Sequence, residues 1–245
     1  PLPTVVGQQS APPLKSLAGK RIVLSVARLV ERKGLDVLIR SMVDVARAVP
    51  QAVLVIVGDG PEHDRLRALA EEVSVLTTFV RDADDHALAA WYAACDVFAL
   101  LPHELPNGDV EGFGIVYLEA GSFGKPVIGT RSGGVSEAVR DGATGFLVNS
   151  NDAPGAGAAI VDLLTNIARA REMGEHGRAW ADEHTPDAFA VHMRSRFGIV
   201  GPGSNPLISI IIPAWNNEAE LAQCLAALER QTLQDSQPDR LHGAG

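Results

Sequence analysis

The stretch from Glu104 to Gly134, ELPNGDVEGFGIVYLEAGSFGKPVIGTRSGG, holds the densest set of residues able to do chemistry. Glu111 stands just before Gly112-Phe113-Gly114. The two glycines let the backbone turn tightly and leave its N–H groups uncovered. The apolar residues that follow predict a helix starting near Gly114. A helix N-terminus offers unpaired N–H donors and a partial positive charge, which together suit a phosphate. Glu119 falls in the second turn of that helix. A carboxylate pair beside a phosphate site suits vicinal hydroxyls, which donate hydrogen bonds to ionised oxygens. Sugars and riboses present such hydroxyls. Spacing alone also fits a surface acid with a helix-dipole acid, and both readings stand at this point.

A second segment, Ser25–Gly34 (SVARLVERKG), carries Arg28 and Lys33 on the loop after a predicted strand. Arg28 can act as a fork and Lys33 as a point charge, and two such cations can neutralise a diphosphate. Taken alone, the segment is better described as a solvated loop leading into a helix.

The elements that must position these residues alternate along the chain. Strands are predicted at Arg21–Ala27, Ala52–Val57, Ser74–Val80, Asp96–Leu101, Pro126–Thr130 and Gly145–Val148. Helices are predicted at Leu35–Val49, after Gly58-Asp59-Gly60 with Pro61 opening, over Asp84–Cys95 with Asp82 or Asp84 as cap, and from Gly114 to about Phe123. Further helices follow at Ala153–Ala168, Arg169–Glu183 and Pro186–Phe197. The strands are short, continuous and apolar, as expected of strands buried on both faces. Strands alternating with helices predict an α/β fold with a doubly wound parallel sheet. Ligands of such sheets bind outside the C-terminal ends of the strands, where Arg28, Lys33, Glu111 and Glu119 are expected to gather.

Of 245 residues, 46% are hydrophobic and 21% charged, the balance of a globular chain of one to two domains. The 21 Lys and Arg stand against 30 Asp and Glu, a net charge of −9. That disfavours a non-specific nucleic-acid binder, which needs a basic excess to displace phosphate counterions. Cys95 and Cys224 are far apart and form no CxxC, so zinc and disulfide frameworks are poor readings, and two reduced thiols suit a cytosolic chain. No apolar run approaches the roughly 18–20 residues that span a bilayer. Asp82-Ala83-Asp84 has a metal-binding form but precedes a helix, where capping explains it. Gly58-x-Gly60 matches part of a dinucleotide fingerprint, but the third glycine is missing and Pro61 intrudes. His103-Glu104 has no second histidine at zincin spacing, and His176, His184 and His192 lack acidic or thiol partners.

SVARLVERKG, then VIVGDGPE, then DVEGFGIVYLEAGSFGKPVIGTRSGGVSEAVRDGATGFLV occur in one order over residues 19–197. Together they resemble the C-terminal, donor-binding domain of retaining glycosyltransferases of family 4, which have the GT-B fold of two facing Rossmann-like domains. The segment GDVEGFGIVYLEA is similar to mannosyltransferase-like members acting on lipid- or polyprenol-linked acceptors. The resemblance implies that Arg28 and Lys33 hold the diphosphate of a nucleotide-sugar donor, with the backbone at Phe113, Gly114 and Ile115. It implies that Glu119 accepts from the ribose hydroxyls and that Glu111, as the catalytic residue, contacts the transferred sugar. It also implies front-face attack, with the leaving phosphate helping to deprotonate the acceptor and no protein nucleophile. Arg81 stands where members usually carry a glycine bordering the nucleobase. No cofactor and no metal are expected in residues 19–198. The expected partners are the nucleotide-sugar donor and a carbohydrate or lipid-linked acceptor, in the cytoplasm at the inner face of the membrane.

The family's N-terminal acceptor domain, through which peripheral membrane association would run, is not among these residues. The chain is therefore expected to supply half of an active site and to be inactive alone. Residues 1–18, rich in Pro, Gln, Ser and Gly, read as a linker, and 199–206 as a second one. The segment LISIIIPAWNNEAELAQCLAALERQTL is similar to the first βα unit of family 2 glycosyltransferases, of GT-A fold, with Pro213, Asn216 and Glu218 matching and Trp215 in place of a common Tyr. Residues 207–245 are thus expected to be the truncated start of such a domain, an incomplete βα unit. A non-catalytic nucleotide-sugar binding fragment and a sugar-nucleotide epimerase of the same architecture are the alternatives, and a nicotinamide-dependent oxidoreductase is the rival from another class.

Overall fold

A computed structural model describes residues 5–6 and 17–184. The chain falls into two units, Pro1–Ala188 and Phe189–Gly245. All the described residues lie in the first. The helix expected at 186–197, the linker at 199–206 and the βα unit at 207–245 lie outside the described residues.

Among the described residues seven parallel strands form one sheet: β1 (Val5–Val6), β2 (Arg21–Val26), β3 (Ala52–Val57), β4 (Thr77–Val80), β5 (Val97–Ala99), β6 (Val127–Thr130) and β7 (Gly145–Val148). Their order is β1-β4-β3-β2-β5-β6-β7. The β2–β3 pairing runs from Arg21 beside Ala52 to Val26 beside Val57. Every residue of β3 and of β5 is buried, as a central strand covered on both faces requires. The expected α/β doubly wound parallel sheet, Rossmann-like, is the fold observed.

The chain builds outward from β2 to β3 to β4, then crosses back to lay β5 against the other side of β2 and proceeds to β6 and β7. This reversal makes the C-terminal ends of β2 and β5 the topological switch point, where such sheets open a crevice. The two segments singled out by their chemistry are the loops that leave these two strands.

Among the described residues seven helices flank the sheet: α1 (Leu35–Ala48), α2 (His63–Glu72), α3 (Asp85–Ala94), α4 (Ile115–Ser122), α5 (Val135–Ala138), α6 (Ala153–Thr165) and α7 (Ile167–Asp182). In α1, Leu35, Leu38, Ile39, Met42 and Val45 are buried, the recurrence of one helical face. The side chain of Asp84, not Asp82, caps α3 by accepting the Ala87 N–H at 2.8 Å. Pro61 sits in a turn two residues ahead of α2 and does not open it. The adjoining Glu62 N–H donates to Leu29 O at 3.1 Å, which ties this turn to the loop after β2, and the His63 N–H donates to Gly60 O at 3.2 Å within the turn. Val5–Val6, within the stretch read as a linker, pair with Thr78 and Phe79 of β4. None of the described helices is long and apolar enough to cross a membrane.

Candidate functional site

The loop after β2 runs through Arg28 into a 3-10 turn, Glu31–Lys33, and ends at Gly34. Gly34 has φ +61, and a Cβ there would lie 1.8 Å from the Leu101 carbonyl oxygen. Only glycine permits both that dihedral and that approach. The turn is thereby pressed against the chain leaving β5. The His103 N–H donates to the Arg32 carbonyl at 3.0 Å, fastening the two loops by main chain as well. A third loop, after β6, joins them where the Gly134 N–H donates to the Glu111 carbonyl at 3.0 Å.

Glu111 is only 8% exposed and lies at the centre of this convergence. Its Oε2 accepts a hydrogen bond from Lys33 Nζ and another, at 3.1 Å, from Arg32 Nη1. Arg32 Nε is 3.3 Å from an Asp109 carboxylate oxygen. Arg28 is exposed, and among the described residues no acid pairs with it. Lys33 and Glu111 are therefore brought into contact, and Arg28 stands on the same loop with its charge uncommitted. Arg32 and Asp109 were not singled out by the sequence reading. Their only signal was the density of charge beside Lys33 and Glu111.

Helix α4 begins directly after Gly114. The Tyr117 N–H donates to the Gly114 carbonyl at 3.0 Å. The N–H groups ahead of it have no carbonyl four residues back within the helix to accept from them. Ile115, at the first position, is 65% exposed. The Phe113 ring is half-buried, 6.2 Å from the His184 ring, which in turn packs edge-on to Trp180.

Glu119 does not touch Glu111. Its Oε2 accepts from the Tyr92 hydroxyl of α3 at 2.7 Å. Burial, followed by that hydrogen bond and the Glu119 charge, pushes the Tyr92 phenol well above its ordinary pKa, so it stays a donor. Burial likewise keeps Tyr117 protonated, and its hydroxyl donates to the Leu100 carbonyl at 2.8 Å, anchoring α4 to the end of β5. Arg81 stands after β4, two strands from β2. Its guanidinium donates to Asp59 after β3 at 2.8 Å and holds that carboxyl below the usual range. It is not drawn into the Lys33–Glu111 cluster.

Residues 8–180 match the family described as glycosyl transferases group 1. The chain is 43% identical over 168 residues to a GDP-mannose-dependent alpha-(1-6)-phosphatidylinositol monomannoside mannosyltransferase of Mycolicibacterium smegmatis, covering 67% of this chain and 44% of the relative. It is 41% identical over 159 residues to the monoacylated-substrate counterpart from Corynebacterium glutamicum, covering 64% and 42%. The chain thus spans less than half the length of these curated relatives. Among solved structures it is similar to a sucrose-phosphate synthase of Thermosynechococcus elongatus, at TM-score 0.63 and 32% identity, covering 74% of this chain and 46% of that one. The C-terminal domain of the LpcC glycosyl transferase of Francisella tularensis matches at TM-score 0.61 and 20% identity, covering 73% of this chain and 93% of that domain, a likeness of fold.

Proposed function

The chain belongs to the group 1 glycosyl transferases, and from that premise we propose that residues 19–198 bind a nucleoside-diphosphate sugar and hand its hexosyl group to an acceptor with retention of configuration. The donor on this reading is GDP-mannose and the acceptor a lipid-linked glycan, as the names of the mycobacterial and corynebacterial relatives suggest. The observation that supports it is the contact of Lys33 with Glu111 beside the switch point, with Arg28, unpaired among the described residues, on the loop of Lys33 and α4 starting at Ile115, just beyond Glu111.

Arg28, Lys33 and the N–H groups at Phe113, Gly114 and Ile115 hold the diphosphate. Glu119 accepts from the ribose hydroxyls, Glu111 from the sugar, and Arg81 borders the base. The bond from the anomeric carbon to the diphosphate oxygen breaks, and a bond from the acceptor oxygen forms on the same face. The acceptor proton passes to the departing phosphate. Charge growing on that phosphate is met by fixed cations and the helix dipole, which need no reorganisation as it develops.

A binding screen of UDP-, GDP- and ADP-sugars against the chain tests this, with GDP-mannose expected tightest. Arg28→Ala and Lys33→Ala are expected to cost about 1.5–3 kcal/mol in diphosphate binding and almost nothing in nucleoside binding. Equal losses for both ligands would remove these residues from the phosphate site. On the same reading 199–206 is a linker and 207–245 opens a family 2-like domain, supported by the match of Pro213, Asn216 and Glu218 to that family's opening motif. Limited subtilisin digestion is expected to cut first within 199–206.

A further inference from the structure

Glu111 is bound by two cations, and the proposed function asks one of them to leave. Lys33 Nζ sits on Glu111 Oε2, yet as a diphosphate ligand it must turn toward the donor. An ammonium is a point charge, and what it leaves behind is a carboxylate whose side chain is 10% exposed. Stripping a partner from a buried charge is costly, because neither water nor another donor replaces it. Arg32 is the other partner, at 3.1 Å through Nη1, while its Nε faces Asp109 at 3.3 Å. A guanidinium has five donors in a rigid fork and can keep both acids paired at once. Its own carbonyl is fixed by the His103 N–H, so the side chain starts from an anchored backbone.

We propose that Arg32 is a positioning residue that retains the charge of Glu111 when Lys33 moves from Glu111 to the donor diphosphate. The inference rests on the reading of Lys33 as a phosphate ligand. Arg32 itself makes no contact with the donor. With Arg32 present, Lys33 is released at little cost. Without it, diphosphate binding competes with a stranded carboxylate.

The test is calorimetric titration of the full 245-residue chain with the tightest of GDP, UDP and ADP, and with the parent nucleoside. These probes carry no transferable hexosyl group, so the proposed contact of Glu111 with the transferred sugar does not enter. Arg32→Ala and the longer Arg32→Gln are each expected to weaken diphosphate binding by about tenfold or more and to spare the nucleoside. Adding Glu111→Gln to either is expected to restore affinity to within roughly threefold of the parent chain, because no charge is then stranded. Thermal melting of each variant checks that it is folded, and the Gln variant keeps the stem packing if Ala does not. No restoration by Glu111→Gln overturns the inference, since a direct phosphate ligand or a mere structural tie would not be rescued. If Lys33→Ala weakens diphosphate binding while both Arg32 variants bind like the parent, the inference alone fails. If Lys33→Ala changes nothing, the phosphate-site reading fails and the inference with it.

Discussion

Glu119 accepts from Tyr92 through Oε2, and among the described residues Oε1 has no protein partner. Tyr92 therefore orients the carboxylate, and on the proposed reading the other oxygen accepts from a ribose hydroxyl. Glu119→Ala is expected to weaken a ribonucleoside diphosphate by about 1.5–3 kcal/mol and to leave its 2′,3′-dideoxy analogue unchanged, as paired titrations would read. Loss for both analogues alike would take Glu119 off the ribose. Cys95 bears on a different outcome: it is 2% exposed, and burial pushes its thiol from 9.0 to about 12. Iodoacetamide at about pH 8 is expected to leave Cys95 unmodified in the folded chain and to label it in urea, since the thiolate is the nucleophile. At this scale the sequence revealed Lys33 and Glu111 through residue type and loop position. It did not reveal Arg32, because which of Glu31, Arg32 and Lys33 faces inward depends on a three-residue 3-10 turn too short to leave a period.

The C-terminal end of α4 is placed by what lies under it. α7 approaches so closely that a Cβ on Gly174 would stand 2.0 Å from the Gly124 carbonyl oxygen, and one on Gly121 2.8 Å from that of Gly177. Gly174→Ala is expected to destabilise the fold by roughly 1–3 kcal/mol by overpacking. Gly112→Ala, whose Cβ meets open space, serves as the near-neutral comparison in urea denaturation. Asp84→Ala, which removes the cap of α3, should cost about 1 kcal/mol in the same assay. The strands were the legible elements: Ala52–Val57 was bounded in the sequence as it is in the structure, because a strand buried on both faces is an unbroken apolar run. The four-residue helix α5 was missed, since one turn of VSEA carries too few positions to show a face. The start of α2 was displaced from Pro61 because long-range bonds to Leu29, invisible locally, claim the preceding turn.

For the whole molecule, the net charge of −9 and the local cation cluster make opposite demands. A ligand carrying its own compact charge and filling the crevice should be favoured over a long polyanion. A nucleoside diphosphate at a hundredfold excess over its Kd is expected to stabilise the chain by about 2.7 kcal/mol, seen as a rise in melting temperature, whereas NAD should give none. A rise with NAD alone would favour the oxidoreductase reading. The sheet reversal described above also has a kinetic consequence. β2, β3 and β4 are joined by short-range crossovers and can assemble while the chain is still emerging from synthesis. β5 must instead return past β3 and β2 to pair on the far side of β2, and α4 gains its backing only when α7 arrives. Non-local pairings of this kind form late. The crevice is thus a product of the last steps of folding, and in a refolding time course nucleotide binding should trail the recovery of helical signal.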